Sequence, residues 1–245
     1  MNISPVGFTL TLLALAGAAS IAPLESSLRG IGAATATSRG QLAAQAGHGV
    51  ILATLGGGRT LTADLLWLKT NLAWEHEDLA ATRAWLDLVV AVDERPDYFW
   101  LNGARIIAYD MPVWRERAQA GAPAAIGKRA REEQAQAALE FLQRALELRG
   151  PNAALYGEMA GIQLRVRHDP AHAAEYFRLA AECPGAPFYA ARIYAELLIS
   201  LDRKREARDW LRQLLPQLPA DQPEARRAVV ADRLAALERD LASGP

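Results

Sequence analysis

The hydrophobic positions of this chain recur at spacings of three and four. Trp85, Leu86 and Val89 form one such set; Phe141, Leu142 and Ala145 form another; Tyr176, Phe177 and Ala180 form a third. Side chains spaced in this way share one face of an α-helix. The pattern predicts an all-α fold in which amphipathic helices alternate with short breaks from Leu61 onward.

The helical patterns repeat. Ala173-Ala174-Glu175-Tyr176-Phe177-Arg178-Leu179-Ala180 aligns with Ala207-Arg208-Asp209-Trp210-Leu211-Arg212-Gln213-Leu214 at an offset of 34 residues. One unit earlier, Ala138 to Ala145 fits the same frame at an offset of 35, with Gly150-Pro151 absorbing the extra residue. Each unit has a small residue first, a bulky pair three and four positions later, and a small or apolar residue at seven. Self-similarity at such a period is the mark of a repeat array.

These features resemble the tetratricopeptide repeat family, whose unit is a helix–turn–helix with a small residue early in each helix and a closing proline. Gly161 and Ala195 occupy the small position of helix A. Ala138, Ala173 and Ala207 occupy that of helix B, where a near-absent side chain lets two helices cross closely. Pro219 stands at the closing position, and Pro184 is displaced by one. The likeness is specific from about residue 130 to 219. It is looser from Leu61 to Pro96, where Thr82 replaces the usual alanine. Residues 112–127 read as an insertion between a helix-A-like segment, 97–110, and its helix B, 132–149. The segment 56–114 is also similar to a group of bacterial membrane-anchored repeat proteins, through Leu55-Gly56-Gly57-Gly58-Arg59, Ala63-Asp64-Leu65-Leu66-Trp67, and Pro96 with Trp100.

The resemblance implies an antiparallel helix-pair solenoid over residues 55–219. A capping helix over 220–245 starts at Asp221 with Gln222-Pro223 and ends at Gly244. Val230, Leu234, Leu237 and Leu241 form its inner face. Arg226, Arg227, Asp232, Arg233, Glu238, Arg239 and Asp240 supply the polar outer face that a solenoid end needs.

Residues 5–24 carry no charge over a length that spans a bilayer core as a helix, about 20 residues. They are read as an uncleaved membrane anchor. A signal peptide, with small residues from Ala16 to Ser20, and a buried core helix are the alternatives. Residues 25–54 are a linker. Arg29 and Arg39 follow the segment and would hold the C-terminal part inside, whereas the signal-like residues point outward. The expected location is the bacterial inner membrane, with the periplasmic side favoured.

The whole chain has 245 residues, 51% hydrophobic, and a net charge of −1. That balance removes the bulk electrostatic pull toward nucleic acid. The single cysteine, Cys183, excludes an internal disulfide and a cysteine-based zinc cluster.

Candidate chemistry is sparse. In Leu55-Gly56-Gly57-Gly58-Arg59-Thr60 the P-loop lysine is missing and the spacing fails. The stretch is read as a turn and helix start, with Thr60 or Thr62 as cap and Asp64 in the first turn; an anion site at the helix N-terminus is the alternative. His168 and His172 stand four apart, but Asp169 and Pro170 fit a cap and a first helical position, which sets His168 before the helix. The basic runs at 128–131 and 203–205 are read as solvated helix ends. Trp67, Trp74, Trp85 and Trp100 are expected to pack helix on helix. Trp114 lies beside Pro112 and Arg115 where little core is expected, and is either a partner anchor or a core residue.

No serine, histidine and aspartate arrangement and no cysteine–histidine pair has a supporting context. The chain is expected not to be an enzyme and to need no cofactor or metal. The expected function is a membrane-tethered scaffold for protein–protein interaction or envelope complex assembly. In the family, ligand-facing positions lie on helix A, in a concave groove. Carried over, they are Glu158, Ile162 and Arg165, then Tyr189, Arg192 and Glu196, with Trp114 added from the insertion. The partner is a protein or peptide with patterned charge; the membrane is contacted through residues 5–24. The alternatives are a membrane-associated enzyme subunit using residues 112–127 and a purely structural subunit of an envelope assembly.

Overall fold

The computed structural model describes residues 58–243. The expected anchor, the linker and Gly244 lie outside them. The described residues are helical and contain no strand. No helix among them is long and apolar enough to cross a membrane. The chain divides into two compact units between Phe99 and Trp100.

In the first unit, α1 (Arg59–Glu75) packs on α2 (Leu79–Val92). Thr62, Ala63, Leu66, Trp67 and Thr70 of α1 are buried, as are Thr82, Trp85, Leu86, Val89, Val90 and Val92 of α2. Burying each leucine or valine contributes roughly 1.5–3 kcal/mol. Asp78 caps α2 by accepting from the Ala81 amide at 2.9 Å.

The expectation for the start of α1 needs correction. The helix begins at Arg59, with Gly58 as N-cap and no side-chain cap, and Asp64 lies beyond its first turn. Thr60 and Thr62 are inside the helix. Leu61 is outward at 62% exposure, so the core pattern starts at Thr62 instead. Trp74 is 41% exposed in the last turn, unlike Trp67, Trp85 and Trp100.

The Gly-Arg-Thr stretch has a different task. Arg59 Nε donates to the Val92 carbonyl at 2.5 Å, and its Nη2 donates to Glu94. Thr60 Oγ1 donates to Asp93 Oδ2 at 3.1 Å. The helix start is tied through its side chains to the end of α2, and the anions it meets are the chain's own carboxylates.

A third helix, α3 (Asp97–Arg105), spans the division. It runs without a break into a π-helical turn, Ile106–Asp110, and then α4 (Met111–Ala118). After a turn at Gly121 comes α5 (Ala124–Arg149). Residues 112–127, read as an insertion, are mostly helical. They lengthen one helix at its end and the next at its start, around a short turn. Met111, Pro112 and Trp114 are buried, so the absence of core expected there is also corrected.

The remaining helices of the second unit are α6 (Ala153–Arg165), α7 (Pro170–Glu182), α8 (Phe188–Ser200), α9 (Lys204–Leu214) and α10 (Arg227–Ser243). Each packs on the next in sequence. Asn152 caps α6 through the Ala154 and Leu155 amides. Asp169 caps α7 through the His172 amide, with Pro170 in the first helical position as expected.

Alanines at the helix contacts explain the close packing. Ala138, Ala173 and Ala207 are each 0% exposed and Ala195 is 1% exposed. Gly161 departs from this expectation: the atoms nearest an added Cβ all belong to Arg165, and Nη2 would stand 2.7 Å away. The missing side chain makes room for an arginine one turn on, not for a crossing helix.

The last helix also starts later than expected. Pro223–Ala225 forms a 3-10 turn, Arg226 is left-handed at φ 48°, and α10 begins at Arg227. Val230, Leu234 and Leu237 are buried as expected. On the outer side, Arg233, Glu238 and Asp240 pair with Glu196, Arg212 and Lys204.

Candidate functional site

The second unit gathers polar side chains from three segments: the end of α3, the π-helical turn and α6. Glu158 sits on α6 with a side chain only 5% exposed. A lone buried carboxylate is costly, so it needs cations. Arg105, at the end of α3, supplies one. Its Nε and Nη2 both donate to Glu158 Oε2, at 2.9 and 2.7 Å. Glu158 raises the pKa of Arg105 further through these bonds.

Arg165 stands one turn beyond Gly161. Its Nη2 donates to the Tyr109 hydroxyl at 2.8 Å and lies 3.8 Å from Glu158 Oε1, within ion-pair range. That oxygen has no hydrogen-bond partner. The guanidinium carbon is 5.2 Å from the centre of the Tyr109 ring, a cation–π distance. Tyr109 belongs to the π-helical turn, which adds a residue to the helical repeat and so re-aims the side chains that follow. Burial pushes the Tyr109 phenol above its usual range, more than Arg165 pulls it down, so it is a neutral donor and acceptor at pH 7.

Two arginines thus flank one carboxylate and one phenol, leaving a net charge of +1 on the four groups. Buried Glu158 and half-buried Tyr109 fix them, and both keep exposed surface: the side chains of Arg105 and Arg165 are 52% and 62% exposed. Preorganised guanidinium groups suit carboxylate or phosphate acceptors.

The expected partner-facing positions separate into two groups. Arg165, Tyr189 and Glu196 are exposed. Tyr189 is 47% exposed, and its hydroxyl lies 3.8 Å from where a Cβ on Gly157 would stand, over α6. Glu196 faces solvent but is engaged by Arg233. The others do not offer the surface expected of them. Ile162 is 0% exposed and is a core residue. Glu158 is buried beneath the two arginines. Arg192 is half-buried and donates to the Glu224 and Ala225 carbonyls at 2.9 and 3.2 Å, holding the 3-10 turn. Trp114 is 8% exposed and is a core residue rather than an exposed anchor. One helix face holds both kinds of position, because the same face must bury some residues to hold its neighbours.

Arg105 and Tyr109 were missed. They lie in the segment read as helix-A-like, 97–110, but 53 and 56 residues before Glu158 and Arg165, so no single offset joins the two pairs. The extra residues at 112–127 break the period and stop the alignment there.

A cavity of about 300 Å³ lies between the end of α4 and the start of α5, lined by Glu116, Gln119, Ile126, Lys128, Arg131 and small residues. Glu116 and Arg131 pair at 2.8 Å across it. Its lining contains no serine, cysteine or histidine. His168 is left-handed before α7, and His172 Nδ1 meets its own cap, Asp169, at 2.6 Å. No group of three metal-ligating side chains comes together among the described residues. No protein-family model matches the chain, and no curated protein matches it.

Proposed function

We propose that this protein is a scaffold of tetratricopeptide-like repeats that binds a protein or peptide segment on the helix-A side of α6 and α8. Arg105, Tyr109, Arg165 and Tyr189 are the contact groups, and the partner segment is one that offers carboxylates between apolar positions. The observation that carries this reading is the Arg105–Glu158–Arg165–Tyr109 cluster. A carboxylate is buried there to hold two arginines that remain open to solvent. That is an expensive arrangement for stability alone, since an apolar core of the same volume does as well or better.

We further propose that residues 5–24 tether the scaffold to the bacterial inner membrane, on its periplasmic side. The uncharged run of twenty residues supports this. The cavity between α4 and α5 favours the second reading, an enzyme subunit, only as a small-molecule pocket, because its lining contains no serine, cysteine or histidine.

The test compares two double variants of the tagged full chain after mild crosslinking in its native membrane. Arg165→Ala with Tyr189→Ala removes two exposed groups on the proposed face. Arg208→Ala with Arg212→Ala removes two on α9. The first pair is expected to lose the crosslinked partner while keeping its helical circular dichroism; the second is expected to keep it. The opposite result moves the binding surface to α9 and removes the proposal.

A further inference from the structure

Helix α1 is apolar on two opposite faces. One is buried against α2. The other carries Leu61, Leu65, Leu68 and Leu72, with Leu61 and Leu68 at 62% exposure, Leu72 at 50%, and Leu65 half-buried. Four leucines within three turns form a continuous strip rather than scattered surface residues. A helix apolar all round is ordinarily covered on all sides.

The spacing of four, three and four is that of a two-stranded seam, with Leu61 and Leu68 at d positions and Leu65 and Leu72 at a positions. The flanking g positions are then Asp64 and Asn71, and the e positions are Thr62 and Lys69. In a parallel pair, a g side chain meets the e side chain five residues later on the other helix. Asp64 meets the partner's Lys69, and Lys69 meets the partner's Asp64. In an antiparallel pair, g faces g and e faces e, and the two charges go unmatched. Neither Asp64 nor Lys69 has a hydrogen bond or ion pair among the described residues, so such pairing breaks nothing. A lipid surface is disfavoured, because the strip has one acidic and one basic flank rather than the basic excess of an interfacial helix.

We propose that α1 is a dimerisation helix: two copies of this chain join through a parallel seam of Leu61, Leu65, Leu68 and Leu72, with reciprocal Asp64–Lys69 ion pairs setting the orientation. The second copy covers the strip that the fold leaves open. Binding by the scaffold then becomes bivalent, because each dimer carries two helix-A faces.

The experiment uses the full chain in mild detergent with Cys183→Ser. Serine keeps the hydrogen bond that the Cys183 thiol donates to the Leu179 carbonyl. In a parallel seam a d residue faces its own counterpart, so Leu68→Cys is expected to give a covalent dimer on gentle oxidation. Without added cysteine, Asp64→Lys alone and Lys69→Asp alone are each expected to weaken dimerisation, read by sedimentation velocity, by at least about tenfold. Both together are expected to restore it. These are exposed or half-exposed surface positions, and circular dichroism checks that the variants fold. A wild-type monomer at tens of micromolar overturns the proposal, as it leaves the strip to lipid or to residues 1–57. Disulfides that form only when Leu65→Cys is mixed with Leu68→Cys overturn it in favour of an antiparallel pair. Charge variants that dimerise as the wild type does overturn the orientation and the ion pairs alike.

Discussion

The guanidinium of Arg95 holds both carboxylate oxygens of Asp93, Nε to Oδ1 and Nη2 to Oδ2, each at 2.8 Å. The Asp93 side chain is wholly buried, and Thr60 donates to it from α1. One carboxylate thus joins the end of α2 to the start of α1. The link runs through side chains and leaves the N-terminal amides of α1 without a side-chain cap.

That relationship has a pH signature. Hydrogen bonding from Arg95, and less from Thr60, holds the Asp93 carboxyl down at about 2 against an ordinary 3.8. A folded value below the unfolded one means that the contribution is complete above about pH 4 and is lost as pH falls through about 2. The expected loss between pH 5 and pH 2 is about 2 kcal/mol. Asp93→Asn should be less stable at pH 5 and should lack this part of the acid dependence. Urea melts of both proteins across that range check it. An unchanged acid dependence in the variant would place its source in other carboxylates.

Substitution at the helix contacts should separate core from surface. Ala173 is 0% exposed between helices, whereas Arg178 lies on the outer side of α7 between Glu175 and Glu182. Ala173→Trp overfills the contact and should cost about 3 kcal/mol or more. Arg178→Trp loses exposed ion pairs and should cost less than about 1 kcal/mol. Thermal melts of the two variants measure the difference, and equal shifts would contradict the helix frame.

Arg192 is expected to behave as a structural clamp. Its two bonds to the Glu224 and Ala225 carbonyls hold the turn that leads into α10. Arg192→Glu should destabilise by roughly 1.5–3 kcal/mol, the range for bonds to a charged group. Trypsin should then cut faster at Arg226 and Arg227. A variant with wild-type cleavage rates would return Arg192 to the list of free surface groups.

The all-α class and the helix spacings were legible in the sequence because periodicity is a local property. Trp85, Phe141 and Phe177 are buried as their spacing predicted. The cap at Asp169 was legible for the same reason. What was not legible depends on residues distant in sequence. Arg59 and Thr60 find their partners at the end of α2, more than thirty positions on. Glu158 was placed on the correct helix, but its ion-pair partner is Arg105, 53 positions earlier. Ile162 and Arg165 lie within one turn of each other and have opposite exposures, which a family position alone does not distinguish. At 112–127 little core was expected because its alanines, glycines and prolines are read locally, whereas Trp114 is buried by its neighbours.

Gly161 offers a variant that separates binding from stability. Alanine there places a Cβ 2.7 Å from Arg165 Nη2, so the guanidinium must swing off Tyr109. The helix itself gains propensity, up to about 1 kcal/mol. Gly161→Ala should melt at the same temperature as the wild type or higher, yet capture less partner. A partner yield equal to the wild type would show that the fixed position of Arg165 does not matter for binding.

The most direct measurement places a photo-crosslinking amino acid at single positions of the full chain in intact cells. Tyr189 on α8 faces solvent over Gly157, close to the proposed contact groups, and Gln213 on α9 is exposed elsewhere. Irradiation is predicted to give a discrete adduct from position 189, which disappears when Arg165→Ala is added, and none from position 213. An adduct from position 213 with none from position 189 would contradict binding on the helix-A side of α6 and α8.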